Sequence, residues 1–145
     1  MQIITPPPTE TASRLRLGIT RTARRLRQES RVGLTPSQNA ALATVERHGP
    51  ITPSELAQRE RVQRPTITRV LVVLEDAGLI VRATDPADRR SCLVTVSGSG
   101  VELLAASRGR KDAFLASRLL ALPPEDVAVL DRAATLLEEL LEDGE

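Results

Sequence analysis

The chain has 145 residues, 41% of them hydrophobic, which fits one domain or one domain with an appended helical part. Its net charge is only +1, so any basic surface comes from where the charges sit and not from their sum. Phe114 is the sole aromatic residue and Cys92 the sole cysteine, which excludes an internal disulfide and a multi-cysteine zinc site and argues against base stacking on single strands.

A core of Leu, Val, Ile and Ala suits helices better than a β-sandwich. No apolar run approaches the roughly 18 residues of a membrane span. The start, "MQIITPPPTET", lacks the basic-then-apolar order of a secretory signal, so a cytoplasmic protein with no membrane partner is expected. Charge is uneven along the chain. From Glu10 to Gly33 seven arginines stand against two glutamates, a net of +5, while from Ala121 to Glu145 Arg132 stands against eight acids, a net of −7. The two ends attract each other or a partner chain, and the acidic end is no surface for a polyanion.

In chain order, the proline-rich residues 1–10 read as a flexible arm. A helix is expected from about Thr11 to Ser30, with Leu15, Ile19, Ala23 and Leu26 on one stripe. Then one punctuation mark occurs twice, "TPSQ" at 35–38 and "TPSE" at 52–55: a Thr cap, a Pro at the first helical position, and Gln or Glu three residues after the cap. Both predict a capping box. The helices they start run from Pro36 to about Arg47 and from Pro53 to about Arg59, with "GPI" between them as a short extended segment.

Pro65 suits another first turn, Ile67, Leu71, Leu74 and Ala77 follow at helical spacing, and Gly78 is a good left-handed terminator. Two helices joined by only "RVQ" have the proportions of a helix-turn-helix. "LIVRAT" and "SCLVTV" then form a hairpin around "DPADRR". After "SGSG" a helix is expected from about Gly100 to Leu120, and "LPPEDV" starts a last one with Leu130, Ala134, Leu137 and Leu141 in a stripe. The expected fold is mainly α with a small β-wing: a winged helix-turn-helix lobe flanked by helices from both termini.

With Ile67, Leu71 and Leu74 turned inward, Arg64, Thr66, Thr68 and Arg69 lie on other faces near the helix start. Arginines pair with guanine edges, threonines meet thymine methyls or phosphate, and a helix N-terminus favours phosphate. Beyond Arg69 the helix carries no positive charge, so its first two turns are the nucleic-acid-facing part. The helix alone equally fits a solvated polar start in another small helical protein, and the hairpin alone fits surface decoration. Placed just after such a helix, however, Arg89 and Arg90 gain a mechanism, because an arginine on a thin wing can enter the narrow minor groove next door. Asp88 is then expected to orient the Arg89 guanidinium through paired hydrogen bonds.

"LTPSQ", "TPSELAQRERVQRPTITRVLVVLEDAGLIVR", "DPADRR" and "LVTVSGSG", in that order, resemble the MarR family of multiple-antibiotic-resistance regulators over about Leu34 to Gly100. The "D-x-R-R" after a "GLI-x-R" strand is the specific part. The resemblance implies a homodimer held by helices from both termini, with two winged lobes on a pseudo-palindromic operator. It puts Pro65, Thr66, Thr68 and Arg69 on the recognition helix and Arg89 at the wing tip. It also implies a repressor relieved by a small anionic or aromatic effector bound between the DNA-binding lobe and the dimer helices. Val72 and Val73 stand where relatives often have polar residues, and Gln63 replaces a common small cap.

The implied division is an arm at 1–10, helical dimerisation parts at 11–33 and 101–145, and a DNA-binding domain at 34–100. Dimerisation has its own physical argument, since the terminal helices have apolar stripes and little else to cover them.

The remaining singles are quieter. His48 reads as a structural histidine near a helix end, Cys92 as a small strand residue, and "SGSG" as a turn too short for a phosphate loop. No metal site, cofactor or nucleophile–base set can be assembled, so no enzyme is expected. Arg16 and Arg24 are candidates to meet an acidic effector, though plain solvated charge fits them too. The expected partners are double-stranded DNA and a second copy of the chain. Two rivals stand beside this: a winged-helix protein-interaction module that never binds DNA, and an oxidant sensor working through Cys92.

Overall fold

The computed structural model describes residues 2–30 and 33–142. Among these, α1 (Pro8–Glu29), α2 (Pro36–His48), α3 (Pro53–Glu60) and α4 (Arg64–Asp76) precede a hairpin of β1 (Ile80–Thr84) and β2 (Cys92–Val96), followed by α5 (Gly98–Leu119) and α6 (Pro124–Glu142). The mainly helical architecture with a small wing is as expected. Met1, Arg31, Val32 and Asp143 to Glu145, which belong to the expected arm and dimerisation parts, lie outside the described residues. No helix of the described residues is long and apolar enough to cross a membrane.

The twin punctuation marks start helices by different means. At the first, Gln38 N–H donates to Thr35 Oγ1 at 3.2 Å and Thr35 N–H donates to Gln38 Oε1 at 3.0 Å, a complete capping box. At the second, Thr52 Oγ1 accepts from Glu55 N–H at 3.1 Å, but the Glu55 carboxylate turns to Arg59 at 3.5 Å. An arginine one turn ahead competes for the carboxylate, so the expected second box is a single cap.

Two helix starts also come earlier than expected. α1 begins at Pro8, so Pro8, Thr9 and Glu10 of the expected arm are helical. Proline in the first turn brings a pre-set φ, and Glu10 suits the positive end of the helix. α5 begins at Gly98, because Ser97 is its cap: Oγ accepts from Gly100 N–H at 3.1 Å and donates to the Gly78 carbonyl at 2.6 Å.

The core lies in the middle of the chain. Leu42, Val45, Ile51, Leu56, Ile67, Leu71, Leu74, Ile80, Val94 and Leu104 are buried in one cluster that joins α2, α3, α4, the base of the hairpin and the first half of α5. The strands pair antiparallel from Ile80↔Val96 to Thr84↔Cys92. The expected extended "GPI" segment adds a bridge on the other edge of β2, with Val94 N–H donating to Ile51 O at 2.7 Å and Ile51 N–H donating back at 3.1 Å. α5 crosses the wing base so closely that a Cβ at Gly100 would sit 2.3 Å from the Leu79 carbonyl oxygen and 2.7 Å from Val96 Cγ2. Only glycine fits there.

Neither α1 nor α6 contributes a buried residue among those described. Leu15, Leu17 and Ile19 of α1 and Val129, Leu130, Leu136, Leu140 and Leu141 of α6 are exposed.

Candidate nucleic-acid interface

The helix-turn-helix is held by a tight reversal. Arg61 ends α3 in the left-handed region (φ 55°), and Val62 N–H reaches back to the Ala57 carbonyl at 3.0 Å. Gln63 then starts α4 with no side-chain cap. Pro65 brings no N–H and the Thr66 N–H donates to the Gln63 carbonyl at 3.0 Å, so within the first turn the Arg64 N–H is the donor left for an outside acceptor such as phosphate.

Ile67, Leu71 and Leu74 are buried on the inner face of α4, and Arg64, Pro65, Thr68 and Arg69 are exposed. Thr66 is half-buried and sits on the flank. Arg64 Nη1 donates to Ser54 Oγ at 2.9 Å, which ties the starts of the two helices together and limits where that guanidinium can swing. Thr68 Oγ1 donates to the Arg64 carbonyl at 3.0 Å, so its proton is engaged while its methyl and lone pairs stay available. Ser54 escaped the sequence reading. Its signal is its place directly after the proline of a capped helix start, where a short hydroxyl can meet a residue beyond the turn.

From Ile80 to Thr84 the strand spans about 13 Å, four steps of about 3.3 Å, and the tip lies beyond Thr84 and Cys92. Asp85 N–H donates to the Ser91 carbonyl at 3.1 Å and closes the turn. Within it Asp85 Oδ1 accepts from Ala87 N–H at 2.9 Å, and Asp88 Oδ1 accepts from Arg90 N–H at 3.0 Å. Both aspartates therefore form Asx turns. Asp88 spends its carboxylate on the backbone of Arg90 and not on the Arg89 guanidinium, which corrects the expected pairing: at i,i+2 the main-chain N–H is within easy reach of a short side chain. Arg69, Arg89 and Arg90 are exposed and have no ion pair among the described residues.

Helix and wing are also joined directly. Arg82 Nε of β1 lies 3.1 Å from Glu75 Oε2 of α4. The pair sets opposite charges side by side between helix and wing without a hydrogen bond, since Arg82 Nε has no hydrogen-bond partner, and nothing local in the sequence announces it.

Two other features bear on earlier expectations. A cavity of about 740 Å³ lies where α1, α2 and α5 meet, lined by Leu26, Arg27, Leu34, Asn39, Ser107 and Lys111 among others. Arg16 and Arg24 do not line it; on α1 those positions point elsewhere, and among the described residues Arg27 and Lys111 are its cations. Cys92 is a half-buried free thiol opposite Thr84, and the His48 ring faces Arg59 Nη1 at 3.2 Å.

A helix-turn-helix with exposed arginines on its second helix and a paired hairpin beside it defines a winged helix-turn-helix regulator. The chain belongs to the MarR family: the model described as "MarR family" matches residues 34–92. An HTH-type transcriptional regulator of Mycobacterium leprae, itself uncharacterised, is 42% identical over 136 residues, 92% of this chain and 94% of the relative. A crystal structure from Pseudomonas aeruginosa, of a protein assigned as a transcriptional regulator, superposes with a TM-score of 0.82 at 34% identity, over 93% of this chain and 97% of the other. A mutant of S. aureus MepR bound to an oligodeoxyribonucleotide shares the fold at 21% identity, TM-score 0.70, over 90% of this chain and 97% of that one.

Proposed function

We propose that this transcription regulator acts as a cytoplasmic homodimer on a pseudo-palindromic operator, and that it is a repressor relieved by a small anionic or aromatic effector. The observation that carries the dimer is the set of exposed leucines and valines on α1 and α6, in a chain whose core is confined to residues 41–104. A second copy is the partner whose surface has the same problem, and the net charges of +5 and −7 at the two ends complement each other across a two-fold axis. On this reading residues 34–100 are the DNA-binding domain, residues 11–33 and 101–145 are the dimerisation region with α1 extending it to Pro8, and the residues before Pro8 are the arm.

Arg64, Pro65, Thr66, Thr68 and Arg69 meet the major groove, and Arg89 with Arg90 enters the adjacent minor groove. Asp88 supports the wing by holding the tip backbone. A bound dimer covers both grooves of each half-site, which blocks polymerase wherever the operator overlaps a promoter. The cavity between α1, α2 and α5 fits an effector with an apolar body and an acid for Arg27 or Lys111. Such a ligand relieves repression only by binding better to a form whose recognition helices are mis-spaced for the operator.

The test is selection of duplexes from a randomised pool, followed by mass measurement of the complex and a salt titration. One dimer per duplex is expected, on inverted half-sites about 10 base pairs apart, with affinity falling steeply with salt. A monomer, or binding that ignores sequence and salt, sinks the reading.

A further inference from the structure

The outward stripe of α4 continues past the residues assigned above. At 3.6 residues per turn, positions 65, 69 and 72 point away from the buried Ile67, Leu71 and Leu74, and 68 lies on the adjoining flank, exposed like the others. Val72 is 47% exposed on that stripe. Its neighbours are Thr68, whose hydroxyl proton is committed to the Arg64 carbonyl, and the ring of Pro65 one turn before that. Three apolar groups thus stand in line: a pyrrolidine ring, a threonine methyl and an isopropyl. Arg64 lies on one flank and Arg69 on the other. Val73, 42% exposed, lies off this line, one turn beyond Arg69 on the other flank.

An apolar strip between two cations is poorly matched to water and to phosphate. It matches one feature of a duplex, the thymine 5-methyl, which is the apolar group a base edge presents in the major groove. From Pro65 to Val72 the helix rises about 10.5 Å, within a groove about 12 Å wide, and that length spans about three base-pair steps of 3.4 Å. Asp76, one turn further along the same line, ends the strip with a carboxylate, which accepts hydrogen bonds and finds no donor on a thymine edge.

We infer that Pro65, Thr68 and Val72 form a thymine-methyl reading strip and that Val72 is a specificity-determining residue, so that each half-site carries thymines along the strip beside the guanidinium of Arg69. This deepens the DNA-binding reading above and rests on it. It also extends the contact surface into the third turn of α4, beyond the two turns that charge alone marked out.

Duplexes selected by the wild-type protein are remade with deoxyuridine in place of thymidine in the half-sites. This deletes the methyl and leaves every hydrogen-bonding edge in place. Wild-type affinity is expected to fall about fourfold for each methyl contacted, the equivalent of one apolar carbon group returned to water. Val72→Ala, whose side chain lies outside the core, keeps the thermal melt of the wild type and loses about one methyl's worth of the thymine-over-uracil preference. Equal wild-type affinity for both duplexes overturns the inference while leaving sequence-selective binding intact. An undiminished preference in Val72→Ala overturns the role of Val72. No sequence-selective binding by the wild type removes this inference and the DNA-binding reading together.

Discussion

Glu75 and Arg82 sit on the two elements that a winged regulator must present together, and they lie 3.1 Å apart. The Arg82 side chain is only 26% exposed, so the contact is sheltered at its basic end. Breaking it with Arg82→Gln is expected to cost at most about 1 kcal/mol of unfolding free energy in a denaturant titration. A larger effect is expected on duplex binding, because Glu75 on the proposed recognition helix loses its counter-charge and adds repulsion toward a polyanion. Comparison of Glu75→Gln, Arg82→Gln and the double variant isolates the pair. Strictly additive effects on duplex affinity would mean that the two elements are positioned independently.

Asp88 separates two roles cleanly. Asp88→Asn keeps an oxygen acceptor for the Arg90 N–H and removes a negative charge, so duplex affinity should hold or rise. Asp88→Ala loses the Asx turn and should weaken binding and broaden the NMR signals of the tip. Equal weakening by both variants would restore the guanidinium-orienting role that the geometry argues against.

Arg89 is exposed and has no ion pair among the described residues. Arg89→Ala should weaken duplex binding by about 1–3 kcal/mol per half-site without altering the melting temperature. Arg89→Lys should recover only part, since an ammonium is costlier to strip of water in a narrow groove. Gel shifts at two salt concentrations check both, and unchanged affinity in the alanine variant would remove the wing from the interface.

The leucines of α6 test the dimer. Leu140 and Leu141 are 69% and 76% exposed in the single chain, so replacing both with Asp costs that chain little. In a dimer held by these helices the same change should give a monomer by light scattering, with the helical circular dichroism of the lobe retained. Loss of the linked second half-site should lower operator affinity about 100-fold or more. A variant that stays dimeric would place the interface elsewhere.

Gly100→Ala tests the crossing of α5 over the wing base. A methyl placed 2.3 Å from the Leu79 carbonyl oxygen forces α5 away from the hairpin. The expected loss of stability is at the upper end of the about 1–3 kcal/mol range for overpacking, measured by chemical unfolding. Gly98→Ala, where the added carbon meets nothing within 4 Å, is the control.

Much of this molecule is written in stretches of a few residues. Thr35 and Thr52 with their prolines set two helix starts, the spacing of Ile67, Leu71 and Leu74 fixes which side of α4 faces the core, and Gly78 at φ 72° ends the turn into β1. These are properties of caps, periodicity and backbone freedom, which act within one or two turns and so are visible without a fold. The hairpin around "DPADRR" is legible for the same reason, whereas the Asx turns of Asp85 and Asp88, and the choice by Asp88 of the Arg90 N–H over the Arg89 guanidinium, are not.

Sequence by itself therefore determined the elements, their order, the winged helix-turn-helix class and the family. Tertiary structure alone decided that Arg64 leans on Ser54, that Glu75 meets Arg82, that Gly100 leaves room for the Leu79 carbonyl, and that the apolar faces of α1 and α6 stay uncovered within one chain. Each of these depends on how separately formed elements pack, and a contact between elements leaves no periodic mark in either of them.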